Sequence, residues 1–438
     1  MRVRKTGEGT NRLKNSLLAI ADQIVVSAGT FLSVMMVCRN CSNADFGIFT
    51  LAWTIIQFLR TVQERMIAAP YLVFAFRPGF ERKSYRGSSI THQAFFAGLS
   101  SCIVLVVSIA AWMLGYGFFW FGVSLAVALL FNLVRDEMRA VSYTDFAFLR
   151  LLFLDLTVVA TQLLGLLLLS WFGFFSLTLA NLMIGFGCAA PFAVWLWLTK
   201  SKFSFESNAI VADWIHNWTY SRWLVGSRVI GIAPTIFIPW LIALNEGEEG
   251  TGVFGVCGSL VGVSLMFVTG INNLFQPRTV LELQRNGIRG MLTAIGESIL
   301  VICIGLVCLS TVFLFFGGDL LAIFGGQYKR FGFLTFLLSV STLVVSISTL
   351  FANGLASLKM SRDLFWGEVS YCIVSIVSAI VLVPSHGLNG AAYAMILGGF
   401  AATVVIGMTL ARGVRLYVCD SQSGNTLVSS VEKSMEIT

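Results

Sequence analysis

The sequence predicts an all-α integral membrane protein with about twelve transmembrane helices. Of its 438 residues, 57% are hydrophobic and only 12% are charged, whereas a soluble domain is about 25% charged. The apolar residues fall in runs of roughly 20, the length that crosses a bilayer as a helix. Helices are expected rather than sheets because lipid cannot satisfy an open sheet edge. A barrel is excluded because runs such as residues 163–169 do not alternate as barrel strands do.

The apolar runs recur along the whole chain. The first follows a basic N-terminal stretch, and we interpret it as a retained helix rather than a signal peptide because it is long enough to span. The predicted spans lie at about 15–38, 46–75, 90–114, 117–134, 147–170, 173–198, 223–244, 252–275, 290–316, 331–356, 364–383 and 388–411.

Lysines and arginines concentrate in alternate connections between these spans. With the N-terminus inside, the inside segments hold about seven times as many of them as the outside segments. Arg135 and Arg139 are counted in one inside segment, and the acidic residues 245–250 fall outside. The bias predicts a multi-pass protein of the inner (cytoplasmic) membrane with both termini in the cytoplasm. It also accounts for the net charge of +7, so no nucleic-acid partner is expected.

The spans divide the chain into two halves. Trp214 and Trp218 lie four residues apart, on one helical face, which predicts a short interfacial helix between the halves. Gly173 and Gly185 align with Gly387 and Gly399 at a constant offset, which favours an internal repeat, with chance matching as the alternative. The predicted regions are an N-terminal six-helix bundle at 1–198, a cytoplasmic linker at 199–222, a C-terminal six-helix bundle at 223–416 and a cytoplasmic polar tail at 417–438.

One membrane helix carries a stripe of polar residues. Trp53, Gln57, Arg60 and Glu64 are spaced to share a face, and an ionisable residue at mid-membrane costs about 2.5–3.5 kcal/mol. The stripe either lines a cavity or reflects Arg60 and Glu64 neutralising each other at i, i+4. Arg65 lies nearer the inner side, where its long side chain can reach the headgroups.

Other ionisable residues inside the spans remain open to two interpretations. Arg228, which precedes a helix-loosening Gly231 and Pro234, either reaches the inner headgroups or supplies a cation at the inner mouth of a cavity. Four carboxylates either bind a proton or sodium ion or pair with arginine. These ion-coupling candidates are Asp22, Asp155, Glu297 and Glu368.

The sequence offers little for catalysis or cofactor binding. There is no G-x-x-x-x-G-K-[ST] phosphate loop, and His92, His216 and His386 share no predicted helix. Cys38 and Cys41 form a lone C-x-x-C pair, either two unrelated residues or a disulfide on the outer face. No external connection is long enough to carry an acid, a base and a nucleophile. We therefore expect no cofactor, no metal and no enzymatic activity.

Three stretches resemble the polysaccharide flippase family of the multidrug/oligosaccharidyl-lipid/polysaccharide exporter superfamily. Residues 45–49, DFGIF, resemble that family's E-F-G-x-Y at the start of helix two. Residues 320–328, LLAIFGGQY, resemble its L-x-x-x-F-G-x-x-Y, and residues 386–394, HGLNGAAYA, resemble its G-x-x-G-A-A-x-A before helix twelve. The order and spacing of the three stretches extend the resemblance over nearly the whole chain.

The resemblance implies two six-helix bundles around a central cavity, which opens alternately to either side. It implies transport of an undecaprenyl-pyrophosphate-linked oligosaccharide between leaflets, in the company of membrane lipid and of a glycan polymerase and glycosyltransferases. The alternatives are a cation-coupled exporter of small amphipathic molecules, a membrane-embedded glycan polymerase, and a scaffold protein. The arginine cluster on helix two is denser than the family pattern. The predicted substrate-binding residues are Arg60, Arg228, Arg65, Gln57 and Glu64.

Overall fold

The computed structural model describes residues 4–75, 82–358 and 360–422, and all regular structure in these ranges is helical. Four of the lysines and arginines counted for the charge bias, Arg2, Arg77, Lys359 and Lys433, lie outside the described residues, as does the end of the predicted tail, 423–438. The helices are α1 (Arg4–Asn40), α2 (Asn43–Gln63), α3 (Ala69–Phe74), α4 (Arg82–Met113), α5 (Phe119–Thr144), α6 (Phe148–Trp171), α7 (Leu177–Thr199), α8 (Ser207–Leu321), α9 (Gly332–Ser357) and α10 (Ser361–Gln422).

Within the described ranges, eight helices are long and apolar enough to cross a membrane. Two of these are divided by glycines with positive φ, namely Gly247 and Gly287 in α8 and Gly387 in α10. The two breaks in α8 and the one in α10 divide the eight helices into eleven segments. Residues 43–74 add a twelfth. The predicted all-α membrane fold class with about twelve spans is therefore confirmed.

Two connections predicted as loops are single-residue kinks. Residues 245–250 were expected as an external loop, but the chain stays helical except at Gly247, whose φ is 73°. The connection near residue 386 is likewise a kink at Gly387, with φ 57°. Only glycine adopts this left-handed region without steric cost, so one residue suffices to kink the helix at each point.

The second span is one unit with a π-helical turn in its middle. The Ser42 side chain caps α2 by accepting the Asp45 amide at 3.1 Å. Further along, the Ala69 N–H donates to the carbonyl of Glu64, five residues earlier. Pro70 follows at once and has no N–H to give. The π turn at Glu64–Ala68 absorbs that missing donor and joins α2 to α3.

The chain forms two compact units. Among the described residues, the first unit comprises those up to 229 with 248–252, and the second comprises 230–247 with those from 253 onward. Each has apolar clusters of its own, exemplified by Leu129 in the first and Ile302 in the second, both fully buried.

The predicted linker is anchored within the first unit. The Tyr85 hydroxyl donates to the Asn217 amide oxygen at 2.8 Å, His92 Nε2 bonds the Ile210 carbonyl at 2.8 Å, and the Ser204 amide donates to Lys83 at 3.1 Å. The expected short interfacial helix is not separate, because α8 runs from Ser207 without a break until Gly247.

A glycine in the first flippase-like stretch permits a close helix contact. A methyl group on Gly47 would lie 1.8 Å from the backbone oxygen of Glu248, and one on Gly252 would lie 2.4 Å from that of Asn43. Real atoms never approach so closely, so any side chain at Gly47 forces two backbones apart. The stretch therefore encodes packing between α2 and residues 248–252.

We expect Gly47→Ala to destabilise the protein by about 1–3 kcal/mol, the usual cost of overpacking. The matched control is Gly98→Ala in α4, where the new methyl group meets open space and removing a helical glycine stabilises by about 0.5–1 kcal/mol. Thermal unfolding in detergent measures both. Equal behaviour of the two variants would contradict the contact.

Candidate functional site

Three arginines and three aspartates converge inside the first unit. Four helices supply them, and α5 alone contributes three. The six residues are Asp22 of α1, Arg60 of α2, Arg135, Asp136 and Arg139 of α5, and Asp155 of α6.

Arg60 binds Asp136 through two hydrogen bonds. Its Nε lies 2.7 Å from Oδ2 and its Nη2 lies 2.9 Å from Oδ1. The Arg60 side chain keeps 34% of its surface exposed, so it remains reachable. The alternative of an Arg60–Glu64 pair is wrong: Glu64 instead lies 3.4 Å from Arg65, and both of these side chains are more exposed than Arg60.

Asp155 lies fully buried between two guanidinium groups. Its Oδ1 accepts from Arg135 Nε at 2.9 Å and Nη2 at 2.6 Å, while its Oδ2 accepts from Arg139 Nη1. Arg139 Nη2 continues to Asp22 at 2.8 Å and to the Tyr143 hydroxyl at 3.1 Å. One continuous ionic network therefore joins α1, α5 and α6.

The helix period explains this arrangement. Asn132, Arg135, Arg139 and Tyr143 follow one another at steps of three or four residues and so share one face of α5. Asp136 adjoins Arg135 and lies four residues after Asn132, at the border of the same face. Arg135 and Arg139 are not among the predicted site residues, because the apolar run ends at residue 134 and places them in an inside segment, whereas the helix continues to Thr144. The i, i+3, i+4 spacing of the charges was the signal that identifies a helix face.

The face of α5 that carries Arg135, Asp136 and Arg139 borders a cavity of about 190 Å³ within the first unit. Its walls combine the arginines with polar groups from α1, including Gln23 and Thr30, and with Phe49 and Trp53 of α2. That volume holds about six waters at liquid density. The cavity therefore suits a small polar group, not a sugar chain.

The remaining predicted substrate-binding residues lie elsewhere. Gln57 and Glu64 are exposed, Arg65 is half-buried, and none of them lines the cavity. Arg228 is an exposed residue of α8 and does not line it either.

The predicted ion-coupling carboxylates separate into two pairs. Asp22 and Asp155 belong to the network above. Glu297 and Glu368 belong to the second unit. Glu297 lies 2.6 Å from Arg278, with both side chains nearly half exposed, and the Glu368 carboxylate packs against Gly231.

A second ionic cluster lies at the connection between α5 and α6. Asp145 accepts from Arg82 at 3.2 Å, from Lys202 at 3.0 Å and from Arg86. Burial alone raises the pKa of Asp145, but the Lys202 hydrogen bond and the Arg86 charge outweigh it and hold the pKa below its ordinary 3.8. The cluster ties α4 and the segment after α7 to this connection.

Among the described residues, no group of three or more His, Cys, Asp or Glu side chains is arranged to hold a metal ion. No disulfide joins Cys38 to Cys41. Burial raises the pKa of the Cys41 thiol to about 12, so it stays protonated and unreactive at neutral pH.

The fold is similar to that of solved transporters of the MOP superfamily. A multidrug-resistance MATE family transporter in an inward-facing conformation aligns with a TM-score of 0.72 and 13% identity, over 93% of this chain and 96% of that one. The lipid II flippase MurJ in an inward closed conformation aligns with a TM-score of 0.66 and 12% identity, over 94% of this chain and 91% of that one.

A third solved structure with this fold is a MOP superfamily transporter from Pyrococcus furiosus. It aligns with a TM-score of 0.61 and 10% identity, over 93% of this chain and 96% of that one. Its structure is described as having a binding pocket of reverse polarity, suggesting a different function. No protein-family profile and no curated protein matches this sequence.

We expect Arg139→Met to destabilise the protein by about 3–5 kcal/mol, because it leaves the buried Asp22 without its arginine. Adding Asp22→Asn should recover part of that loss. Arg278→Met is the control, since its pair is nearly half exposed and should cost less than about 1 kcal/mol. Unfolding in detergent measures all three, and an equal loss in the double variant would argue against the pairing.

We expect Asp145→Asn to lower stability at neutral pH and to lose that effect in acid. A carboxylate whose folded pKa is depressed stabilises the fold above its unfolded pKa, and the contribution disappears as pH falls through the folded value. The gap between wild type and variant should therefore narrow below about pH 4. Asp319→Asn, whose ion pair with Lys329 is exposed, should show little gap at any pH.

Proposed function

We propose that this chain is a flippase that moves an undecaprenyl-pyrophosphate-linked oligosaccharide from the inner to the outer leaflet by alternating access, for surface or exopolysaccharide synthesis. The observation that carries the proposal is the set of three arginines, Arg60, Arg135 and Arg139, around one small polar cavity. The likeness in fold to a solved lipid II flippase supports it. The lysine and arginine bias supports an inner-membrane location with cytoplasmic termini.

The cavity chemistry suits a pyrophosphate. A guanidinium has five N–H donors in a rigid fork that matches phosphate oxygens. Arg60 and Arg135 each direct Nε and Nη2 at a carboxylate, which leaves the Nη1 donors for a ligand. Pyrophosphate fits the cavity, while the sugar chain extends beyond it and the lipid tail stays in the bilayer.

The three aspartates make binding reversible. An uncompensated arginine inside a membrane protein is costly, and Asp22, Asp136 and Asp155 compensate the three cations when no substrate is present. An arriving pyrophosphate competes with these carboxylates for the same guanidinium charges. The net free energy of substrate binding is then small enough for the substrate to leave on the other side.

In this proposal the other predicted substrate-binding residues lie outside the cavity and contact the substrate before Arg60 does. Arg65 and Arg228 meet the anion first, with Gln57 and Glu64 nearby, and Arg60 receives it deeper. Membrane potential, worth about 2.3 kcal/mol per charge per 100 mV, or cation exchange at a carboxylate drives the cycle. Membrane lipid is the surrounding partner, and a glycan polymerase and glycosyltransferases act before and after it.

A cation-coupled exporter of small amphipathic molecules is the second candidate. It is favoured by the same aspartates, since Asp22 keeps one buried carboxylate oxygen without a hydrogen bond, and by the likeness in fold to a multidrug transporter. In that case Asp22→Asn abolishes drug efflux, and no lipid-linked glycan moves.

We expect Arg60→Ala to slow flipping at least about tenfold, because it removes a charge-assisted hydrogen bond worth about 1.5–3 kcal/mol. The measurement is leaflet-resolved transport of a lipid-pyrophosphate-linked oligosaccharide in reconstituted vesicles. The double variant Arg60→Ala, Asp136→Ala keeps the cavity neutral, so a defect in both variants indicates lost binding and not a stranded carboxylate.

Arg222→Ala removes an exposed arginine of the same unit and is the matched control, which should flip normally. Normal flipping by Arg60→Ala would show that the cavity is not the substrate-binding site. A wild-type protein that moves none of several lipid-linked glycans under an imposed potential would overturn the flippase itself and favour the exporter, the polymerase or the scaffold.

A further inference from the structure

A second group of buried polar residues lies on a different side of α5 from Arg135 and Arg139. It comprises Gln63 at the end of α2, Ser89 and Gln93 of α4, and Glu137 of α5, each at most 2% exposed. Gln93 Nε2 donates to the Leu133 carbonyl at 2.7 Å, and the Ser89 hydroxyl donates to Glu137 Oε1 at 2.6 Å.

These residues form one polar layer between two apolar layers. One apolar layer includes Ile56, Ala97 and Leu133, and the other includes Tyr85 and Val141. Gln93 lies one turn before Ala97, and Glu137 lies one turn after Leu133. Gln63 lies two turns after Ile56 and just before the π turn, which contacts both α4 and α5. Gln63 therefore lies at the start of a segment that packs against both helices carrying Gln93 and Glu137.

Several polar atoms of the layer have no hydrogen-bond partner. They are Oε1 and Nε2 of Gln63, Oε1 of Gln93 and Oε2 of Glu137. Buried polar atoms are almost always hydrogen-bonded, and here three unsatisfied acceptor oxygens come from one carboxylate and two amides. A carboxylate with two neutral amide oxygens is a set of ligands for a single positive charge.

No protein cation neutralises Glu137. None of the ion pairs among the described residues includes it. The titratable groups that interact with it are Asp136 on its own helix, Tyr71 of α3 and Tyr85 of α4, all anionic when charged. Asp136 is already paired with Arg60, and α7, which also packs on α5, has no charged residue.

We propose that this layer binds one monovalent cation, a proton or a sodium ion, with Glu137 as the charged ligand and the amide oxygens of Gln63 and Gln93 as neutral ligands. Either occupant cancels the buried charge. A sodium ion can bind all three acceptor oxygens, whereas a proton turns Glu137 into a donor to one amide oxygen. The binding itself is independent of transport, whereas its use as the coupling ion rests on the proposed function.

The test is the thermal unfolding midpoint of the purified full-length protein in detergent, at about pH 5.5 and about pH 8.5, in sodium chloride or in choline chloride. In choline, the wild-type midpoint should fall as the pH rises, because the buried carboxyl loses its proton. At the higher pH, sodium should restore the midpoint if sodium binds and should change nothing if the site takes only a proton.

Glu137→Gln keeps the shape of the side chain and removes its charge, so it should flatten the dependence on pH and sodium. Taking the difference from wild type cancels the contribution of the histidines. Glu206→Gln, an exposed carboxylate changed in the same way, should behave as wild type. The proposal is overturned if Glu137→Gln retains the wild-type dependence or if wild type shows none.

Gln63→Leu serves if Glu137→Gln does not fold. It keeps the carboxylate and removes one neutral ligand, so it should raise the half-maximal sodium concentration about tenfold or shift the pH midpoint downward. An unchanged response would exclude Gln63 as a ligand and overturn the site. A protein that shows cation binding yet flips no lipid retains this site and loses the flippase assignment, so the two failures are distinguishable.

Discussion

The pairing of buried arginines with buried aspartates is the constraint on which the first unit depends. Asp155 sits between Arg135 and Arg139, and Arg139 reaches on to Asp22. An ion in this environment is tolerated only with a partner, and the partners come from three helices. The network therefore specifies how α1, α5 and α6 are placed, and it does so with a directional interaction that apolar packing between lipid-facing helices lacks.

Helix α5 separates two kinds of polar chemistry on its different faces. The face with Arg135, Asp136 and Arg139 borders a cavity, and the site carries as many acids as bases once Arg60, Asp22 and Asp155 are included. The adjacent residue, Glu137, points into a layer of amides and hydroxyls with no basic side chain. A rotation of about 100° per residue along a helix is enough to keep the proposed anion site and the proposed cation site apart.

Balanced charge has a functional consequence in a transporter. A cavity of free arginines would hold a pyrophosphate tightly and would be costly when empty. Carboxylates that share the same donors lower both the cost of the empty state and the net gain on binding. Conduction and release depend on binding that is favourable but not tight. The Arg60–Asp136 pair is one-third exposed on the arginine side, and under the proposed function it is the pair that a substrate anion would reach most readily.

The amino-acid sequence by itself determined the fold class and the number of spans, because bilayer thickness sets a length that hydropathy reveals directly. It also identified Arg60, Asp22 and Asp155 as unusual, since a charge in an apolar run is visible without coordinates. Only the tertiary structure decided their partners. Asp136 and Arg60 are far apart in the chain, and the continuation of α5 to Thr144 depends on neutralising carboxylates from other helices. Hydropathy ends a span where charges begin, whereas a folded bundle extends it wherever those charges meet their counterions.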